Sequence, residues 1–146
     1  MIPPPVLFLL ALALGFALQW ARPWPLFAHA AVGRVGGGVL IALGVALSTW
    51  MVLHFRRAGT PVSPLLPARR LVVSGPYRYS RNPDYVGQAL IHAGIALVAN
   101  AAWVLLALAP ALLLVRYAVI AREERYLRAL FGAPYVAYCR RVRRWL

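Results

Sequence analysis

Residues 85–119 decide the fold, and they read YVGQALIHAGIALVANAAWVLLALAPALLLVRYAV. Two apolar stretches, 85–99 and 101–119, flank Asn100, and so short a break leaves room only for a tight turn between helices. A helix needs about 20 apolar residues to cross the roughly 30 Å of hydrocarbon in a bilayer, and only the second stretch approaches that length. The segment therefore predicts an antiparallel helical hairpin in a membrane, with Pro110 kinking its second arm.

Two further apolar stretches precede the hairpin, at 6–20 and 35–53. Of the 146 residues, 62% are apolar or aromatic and 13% are charged, and the mean hydropathy is +0.70. These numbers exclude both a typical soluble domain, which carries about a quarter charged residues, and a disordered chain. We expect a single all-α integral membrane domain over 1–146, with about four transmembrane helices. Residues 1–58 supply two of them, and residues 59–146 form the functional core with a loop and a tail helix.

The basic residues are distributed unevenly along the chain. Sixteen arginines and no lysine stand against three acids, which gives a net charge of +13. If all four stretches span, two arginines lie in the first loop and fourteen lie on the other side, and the arginine-rich side of a membrane protein is cytoplasmic. We therefore expect both termini in the cytoplasm, and the arginine-only composition favours a bacterial inner membrane.

The longest polar segment, residues 59–85, lies between the second stretch and the hairpin and reads GTPVSPLLPARRLVVSGPYRYSRNPDY. Its five prolines exclude a continuous helix, and its Ser74–Pro76 and Asn82-Pro83 sequences are typical of turns. Long loops in compact domains are usually functional or disordered, and the tyrosines argue against disorder. The alternative is a basic loop that lies on anionic lipid with its tyrosines among the headgroups.

An acidic pair, Glu123-Glu124, directly follows the last apolar stretch. Successive helical residues point about 100° apart, so the two carboxylates cannot share one role. One interpretation is a solvated helix face, with Glu124 paired to Arg128 at i,i+4. The other is that one carboxylate faces inward and binds hydroxyl groups or a cation.

Some isolated residues have simple structural interpretations. Gly33 and Gly37 have the small-xxx-small spacing that lets membrane helices pack closely. His92 lies in the middle of a predicted helix, where a lone histidine is typical of a hydrogen bond between helices, and the histidine spacing predicts no metal site. Cys139 is interpreted as a structural thiol. Arg116, two turns before the acidic pair, either serves function or extends to the membrane interface.

Two blocks of residues carry a resemblance to a known family. The first is LVVSGPYRYSRNPDYVG at 71–87, and the second begins at the acidic pair and continues through Leu127, Phe131-Gly132, Tyr135, Tyr138 and Arg141-Val142. With the hairpin between them, their order and spacing resemble the isoprenylcysteine carboxyl methyltransferase and phospholipid methyltransferase superfamily. The resemblance implies methyl transfer from S-adenosylmethionine to a lipophilic substrate at the cytoplasmic face of the membrane.

The resemblance also implies roles for individual residues. A cofactor pocket is expected between the loop, the hairpin and the helix of the acidic pair, lined by Leu71, Val72, Gly75, Tyr77, Asn82, Pro83, Tyr85 and Glu123. The substrate-contacting arginine of the eukaryotic enzymes falls here at Val119, so its neighbours Arg116 and Arg122 are the catalytic candidates. Backbone N–H groups of the turn at 75–77 suit the carboxylate of the donor.

The identity of the methyl acceptor stays open at this point: a lipophilic thiol, a carboxylate or a phospholipid amine. Two other functions also remain. One is an NADPH-dependent membrane reductase with a related helical arrangement, and the other is a non-catalytic subunit whose arginines bind anionic membrane lipids. A nucleic acid is not an expected partner, because the aromatic-rich loop sits at the membrane.

Overall fold

The computed structural model describes residues 3–57, 59 and 71–146. A 3₁₀ turn at Gly75–Arg78 precedes the hairpin, and a π-helical segment at Val115–Ile120 joins two helices without interruption. The described residues form helices and turns and no strand, so the all-α prediction is confirmed. In chain order the α-helices are α1 (Pro4–Ala21), α2 (Ala30–Arg57), α3 (Pro83–Val98), α4 (Ala102–Leu114), α5 (Ala121–Phe131) and α6 (Ala133–Arg141).

Three helices in the described part are long and apolar enough to cross a membrane: α1, α2 and the continuous helix Ala102–Phe131. Between 17% and 28% of each spanning window is buried inside the protein, so most of the apolar surface is left for lipid. In contrast, α3 has 16 residues. At 1.5 Å per residue it is about 24 Å long, shorter than the roughly 30 Å hydrocarbon layer. The third apolar stretch, 85–99, thus forms a short helix packed within the bundle.

The predicted hairpin is formed by α3 and α4, with Asn100 at its tip. Asn100 has a φ of 51°, a left-handed conformation that asparagine adopts more readily than most residues. Its Oδ1 accepts hydrogen bonds from the N–H groups of Leu26 and Phe27 at 2.9 and 2.8 Å, and its Nδ2 donates to the Phe27 carbonyl at 3.0 Å. One residue therefore forms the turn and binds it to the α1–α2 loop.

Glycines form the contact between α2 and α3. A Cβ built on Gly37 would lie 2.6 Å from the carbonyl oxygen of Gly94, and a Cβ on Gly94 would lie 2.6 Å from that of Gly37. Seven residues along each helix, a Cβ on Gly44 would lie 2.6 Å from the Gly87 oxygen. The two backbones therefore touch directly, as small residues allow in membranes. The close packing predicted for Gly37 is confirmed, and Gly33 also packs tightly against the α3 backbone.

The remaining helices pack on the other side of α3, so that the bundle order is α2, α3, α4, α1. Gly15 of α1 lies against the backbone of Val104 in α4. His92 is buried in the middle of α3, and its Nε2 donates to the Val104 carbonyl of α4 at 2.8 Å. The hydrogen bond between helices predicted for His92 is confirmed.

This topology gives the bundle two chemically different ends. The end of α2, the start of α3 and the junction of α4 with α5 lie together, and we call this the site end. Arg22 and Arg34 lie at the opposite end, beside the Asn100 turn, and every other described arginine lies at the site end. For the described residues, the division of arginines between the two ends is the one predicted from the sequence.

Candidate active site

The two sequence blocks meet at the site end. Tyr85, in the first turn of α3, is buried and donates a hydrogen bond from its hydroxyl to Oε1 of Glu123, in the first turn of α5, at 2.9 Å. Beneath this contact, Tyr85 packs in an apolar cluster with Phe8, Val115 and Ile120. The prediction that the loop and the acidic pair come together is confirmed. That they enclose a nucleotide stays a prediction.

The π-helical segment sets the direction in which the acidic pair points. Its backbone bonds run from residue i to i+5, so it adds a residue to the turn and rotates everything that follows. Val115 and Ile120, five residues apart, are both fully buried against the same cluster. An uninterrupted α-helix would place residues five apart on different faces. The segment thereby brings Glu123 to Tyr85 at the start of α5.

The second acid, Glu124, has different partners. Its carboxylate contacts Nη1 of Arg81 at 3.1 Å and receives two hydrogen bonds from Arg144, from Nε at 2.9 Å and from Nη2 at 2.7 Å. Of the two interpretations of the acidic pair, the one that paired Glu124 with Arg128 on a solvated face is wrong, because Arg128 is exposed and two arginines distant in sequence bind the carboxylate. The two adjacent acids therefore have separate roles, as the 100° rotation between them requires.

Residues 142–146, which we call the tail strap, lie across the end of the loop. The backbone N–H of Arg81 donates to the Arg143 carbonyl at 3.0 Å, and Nδ2 of Asn82 donates to the Arg144 carbonyl at 2.8 Å. Trp145 packs against the apolar cluster that contains Tyr85. Asn82 is thus fixed by the strap, and its side chain does not cap α3 although it immediately precedes that helix.

Tyr77 lies in the 3₁₀ turn between α2 and α6. Its ring packs on that of Phe55, with centroids 5.3 Å apart, and its carbonyl accepts a hydrogen bond from the Tyr138 hydroxyl at 2.8 Å. Burial, followed by the nearby carboxylates of Asp84 and Glu123, raises the pKa of Tyr77 well above its ordinary value. The phenol is therefore protonated at neutral pH and supplies a hydrogen-bond donor rather than a base.

The other predicted residues of the loop lie in the same turn or at its ends. Gly75 has a φ of 60°, and a Cβ there would lie 2.8 Å from the His54 ring of α2, so only glycine fits this approach. The Tyr77 N–H donates to the Ser74 carbonyl at 3.3 Å, and binding of the donor carboxylate by the N–H groups of this turn stays a prediction. Leu71 and Val72 are half-buried ahead of the turn.

The sequence model of the phospholipid methyltransferase family matches residues 32–134, more than two thirds of the chain. The chain belongs to the phospholipid methyltransferase family. The match begins in α2, earlier than the resemblance read from the two blocks, and it ends before most of α6 and the tail strap. No curated protein and no solved structure matches the chain.

Membership of the phospholipid methyltransferase family agrees with the apolar helices. The chain is an integral membrane protein and a methyltransferase whose family acts on lipid-like substrates. Pro83, Tyr85 and Glu123 all fall within the matched range, together with the hairpin that joins them. The contact between Tyr85 and Glu123 therefore lies within the part of the chain that the family model matches.

The two arginines predicted to be catalytic lie outside the contacts described so far. Arg116 is exposed on the π-helical segment, with its guanidinium 5.5 Å from the ring centre of Tyr117, and Arg122 is exposed at the start of α5. Among the described residues, the hydrogen bonds that join the loop to the acidic pair involve neither of them. Their catalytic role stays a prediction.

The sequence reasoning missed three residues that organise the site. Arg81 and Arg144 hold Glu124, and Tyr138 binds the backbone of the Tyr77 turn. The chain has three acids and sixteen arginines, so a buried carboxylate was expected to pair with some arginine. Sequence spacing does not indicate which distant arginine that is. The Tyr135 and Tyr138 positions were recognised as part of the family pattern but received no role.

Proposed function

We propose that the chain is an S-adenosylmethionine-dependent methyltransferase that methylates a lipophilic acceptor at the cytoplasmic face of the membrane. The observation that carries this proposal is the 2.9 Å hydrogen bond between Tyr85 and Glu123, which joins the two halves of the family pattern. The contact lies at the arginine-rich end of the bundle, where the positive-inside rule places the cytoplasm.

The residues at the site end fit such a donor. S-adenosylmethionine carries a sulfonium cation, ribose hydroxyls and an adenine ring, and when bound it supplies a methyl group already activated for displacement. Arg81 and Arg144 both form ion pairs with Glu124. Neither of these two arginines is therefore engaged in neutralising Glu123. Glu123 is then suited to hold ribose hydroxyls or to favour the cation, since a carboxylate accepts strong hydrogen bonds.

The remaining loop residues would shape and dry the site. Tyr77, which is half-buried, supplies aromatic surface against which a planar base packs. Pro83 is fully buried at the start of α3, and Leu71 and Val72 add apolar surface ahead of the turn. Such a site aligns the reactants and excludes water, which is the main requirement of a displacement on an activated methyl group.

Substitution of Glu123 tests the proposal. The full-length protein, purified in detergent, is titrated with S-adenosylhomocysteine by isothermal titration calorimetry. We expect Glu123→Gln to weaken binding by roughly tenfold or more, because a neutral amide accepts weaker hydrogen bonds from ribose hydroxyls than a carboxylate of the same shape does. Tyr85→Phe, which removes only the donor to Glu123, is expected to have a smaller effect. Arg128→Gln, an exposed change on the same helix, is the matched control and is expected to bind as the wild type does.

A methyl-transfer assay identifies the acceptor. The purified protein is incubated with S-adenosylmethionine radiolabelled on the methyl group and with fractionated membrane lipids, and label is sought in amine phospholipids, thiols and carboxylates. Equilibrium dialysis with NADPH runs in parallel. If the protein binds NADPH and does not bind S-adenosylhomocysteine, the proposal is contradicted and a reductase is indicated. If the protein binds neither cofactor but binds anionic lipid, and Glu123→Gln does not change the lipid binding, a non-catalytic subunit is indicated.

A further inference from the structure

The tail strap joins the two halves of the candidate site. Its Arg144 carbonyl accepts from Asn82 at the end of the loop, while its Arg144 guanidinium binds Glu124 on α5 through two hydrogen bonds. The next residue back, Arg143, receives the backbone N–H of Arg81. Consecutive residues of the strap thus hold the loop from one side and the acidic helix from the other.

The Arg144 contact fixes the orientation of the Glu124 carboxylate. Both Nε and Nη2 engage separate oxygens of Glu124, at 2.9 and 2.7 Å, and a two-pronged guanidinium contact fixes orientation as well as distance. The Glu124 side chain is only 14% exposed and also meets Arg81 at 3.1 Å. An isolated surface ion pair contributes little, but a partly buried carboxylate shared by two arginines is held in one rotamer.

We propose that Arg144 is a positioning residue, which sets the separation of Asn82 from the acidic pair and keeps Glu124 turned away from Glu123. The inference rests on the proposed function, since it names what holds the donor site in shape. Pairing Glu124 with two arginines also offsets its repulsion of the neighbouring Glu123 carboxylate. Arg144 itself acts through these residues and is not assigned a contact with the donor or the acceptor.

Trp145 holds the tail strap against the helical bundle. It packs against the cluster of Phe8, Tyr85, Val115 and Ile120, so that the strap is anchored next to the tyrosine that binds Glu123. The apolar contact of Trp145 and the paired hydrogen bonds of Arg144 come from adjacent residues of the strap. The strap is thus held on the bundle by an apolar contact and on α5 by an ionic one.

The test compares Arg144 with the residue before it. Arg143→Ala removes the same charge one position away, from an exposed side chain, and leaves the Arg143 carbonyl in place. Amide hydrogen exchange is measured on residues 74–85 of the full-length protein without ligand, and binding of S-adenosylhomocysteine is measured by calorimetry. We expect Arg144→Ala to speed exchange in this segment several-fold and to weaken binding roughly tenfold, with Arg144→Lys between it and the wild type, because lysine cannot make the fork.

Kinetics separate a positioning role from general destabilisation. Once an acceptor is known, Arg144→Ala is expected to raise the KM for the donor about tenfold while kcat changes by less than about threefold, since the donor site is loosened and the chemistry is not. Exchange and binding in Arg144→Ala equal to those in Arg143→Ala would overturn the inference. So would wild-type behaviour of Arg144→Lys, the variant to use if the alanine variant does not fold. Failure of the wild type to bind S-adenosylhomocysteine would instead refute the proposed function, and the exchange measurement would still test what Arg144 holds.

Discussion

The contact between Gly37 and Gly94 predicts a sharp response to a single added methyl group. In Gly94→Ala, the new Cβ would lie 2.6 Å from the Gly37 oxygen and 2.7 Å from the Ile41 side chain. Ordinary contact begins near 3.4 Å, and the nearest atom belongs to a backbone that is itself part of a helix. The helices α2 and α3 must therefore move apart by nearly 1 Å, which loosens the packing along their whole interface.

The size of the effect follows from two opposing terms. Overpacking of a tight interface typically lowers the free energy of unfolding by about 1–3 kcal/mol. Replacing glycine by alanine inside a helix favours the helix by roughly 0.5–1 kcal/mol. Gly94→Ala is thus expected to lose about 1–2 kcal/mol, whereas Gly38→Ala, where nothing lies within 4 Å of the new Cβ, receives only the favourable term.

The assay is thermal unfolding of the purified protein in detergent, followed with a dye that fluoresces on reaction with thiols. Cys139 is the single cysteine in the chain and is partly buried, so the dye reports its exposure. We expect the Tm of Gly94→Ala to be roughly 5 °C below that of Gly38→Ala, using about 2–4 °C per kcal/mol for a chain of this size. Equal Tm values for the two variants would refute direct backbone contact between α2 and α3.

Two further predictions concern the hairpin tip and alkaline pH. Asn100→Ala removes three hydrogen bonds to the α1–α2 loop and places alanine at a φ of 51°, so the same dye assay should give a Tm several degrees lower. Asn100→Gly, which restores the backbone freedom, should recover part of the loss, and no recovery would show that the turn conformation is not strained. Burial raises the pKa of both Tyr77 and Tyr138, so the native state resists phenolate formation and the free energy of unfolding should fall as pH rises above the ordinary tyrosine pKa of about 10. A Tm unchanged between pH 8 and 11 would contradict this, and Tyr79→Phe, an exposed position, is the control that should leave the pH dependence intact.

The parts of the fold that the sequence predicted are those controlled by local chemistry. The break at Asn100 between two apolar stretches identified the hairpin, because only a tight turn fits three residues. The spacing of Gly33 and Gly37 indicated a close helix contact. Their partners in α3 were not predicted, because the spacing of glycines indicates that a helix packs closely there but does not indicate which helix.

The site was only partly predictable for a related reason. The order of the two blocks, with a hairpin between, was enough to bring Tyr85 and Glu123 to one end of the bundle. The partners of Glu124 depend on how the tail folds back, and that path is set by tertiary contacts of Trp145 and Asn82 rather than by any local pattern. The length of α3 was visible in its apolar stretch, whereas the π-helical segment has no reliable signature in an uninterrupted run of apolar residues.

The π-helical segment bears on how chains of this kind should be aligned with one another. It sets the rotation at which α5 leaves α4, so the acid that faces Tyr85 depends on the kind of helical turn at 115–120 as well as on the number of residues after Pro110. A π turn holds one residue more than an α turn, so a relative with one residue fewer and an uninterrupted α-helix would still present its first carboxylate where this chain presents Glu123. An alignment should therefore place the gap inside Val115–Ile120, so that the acid facing Tyr85 is matched with its counterpart and not with the acid held by arginines.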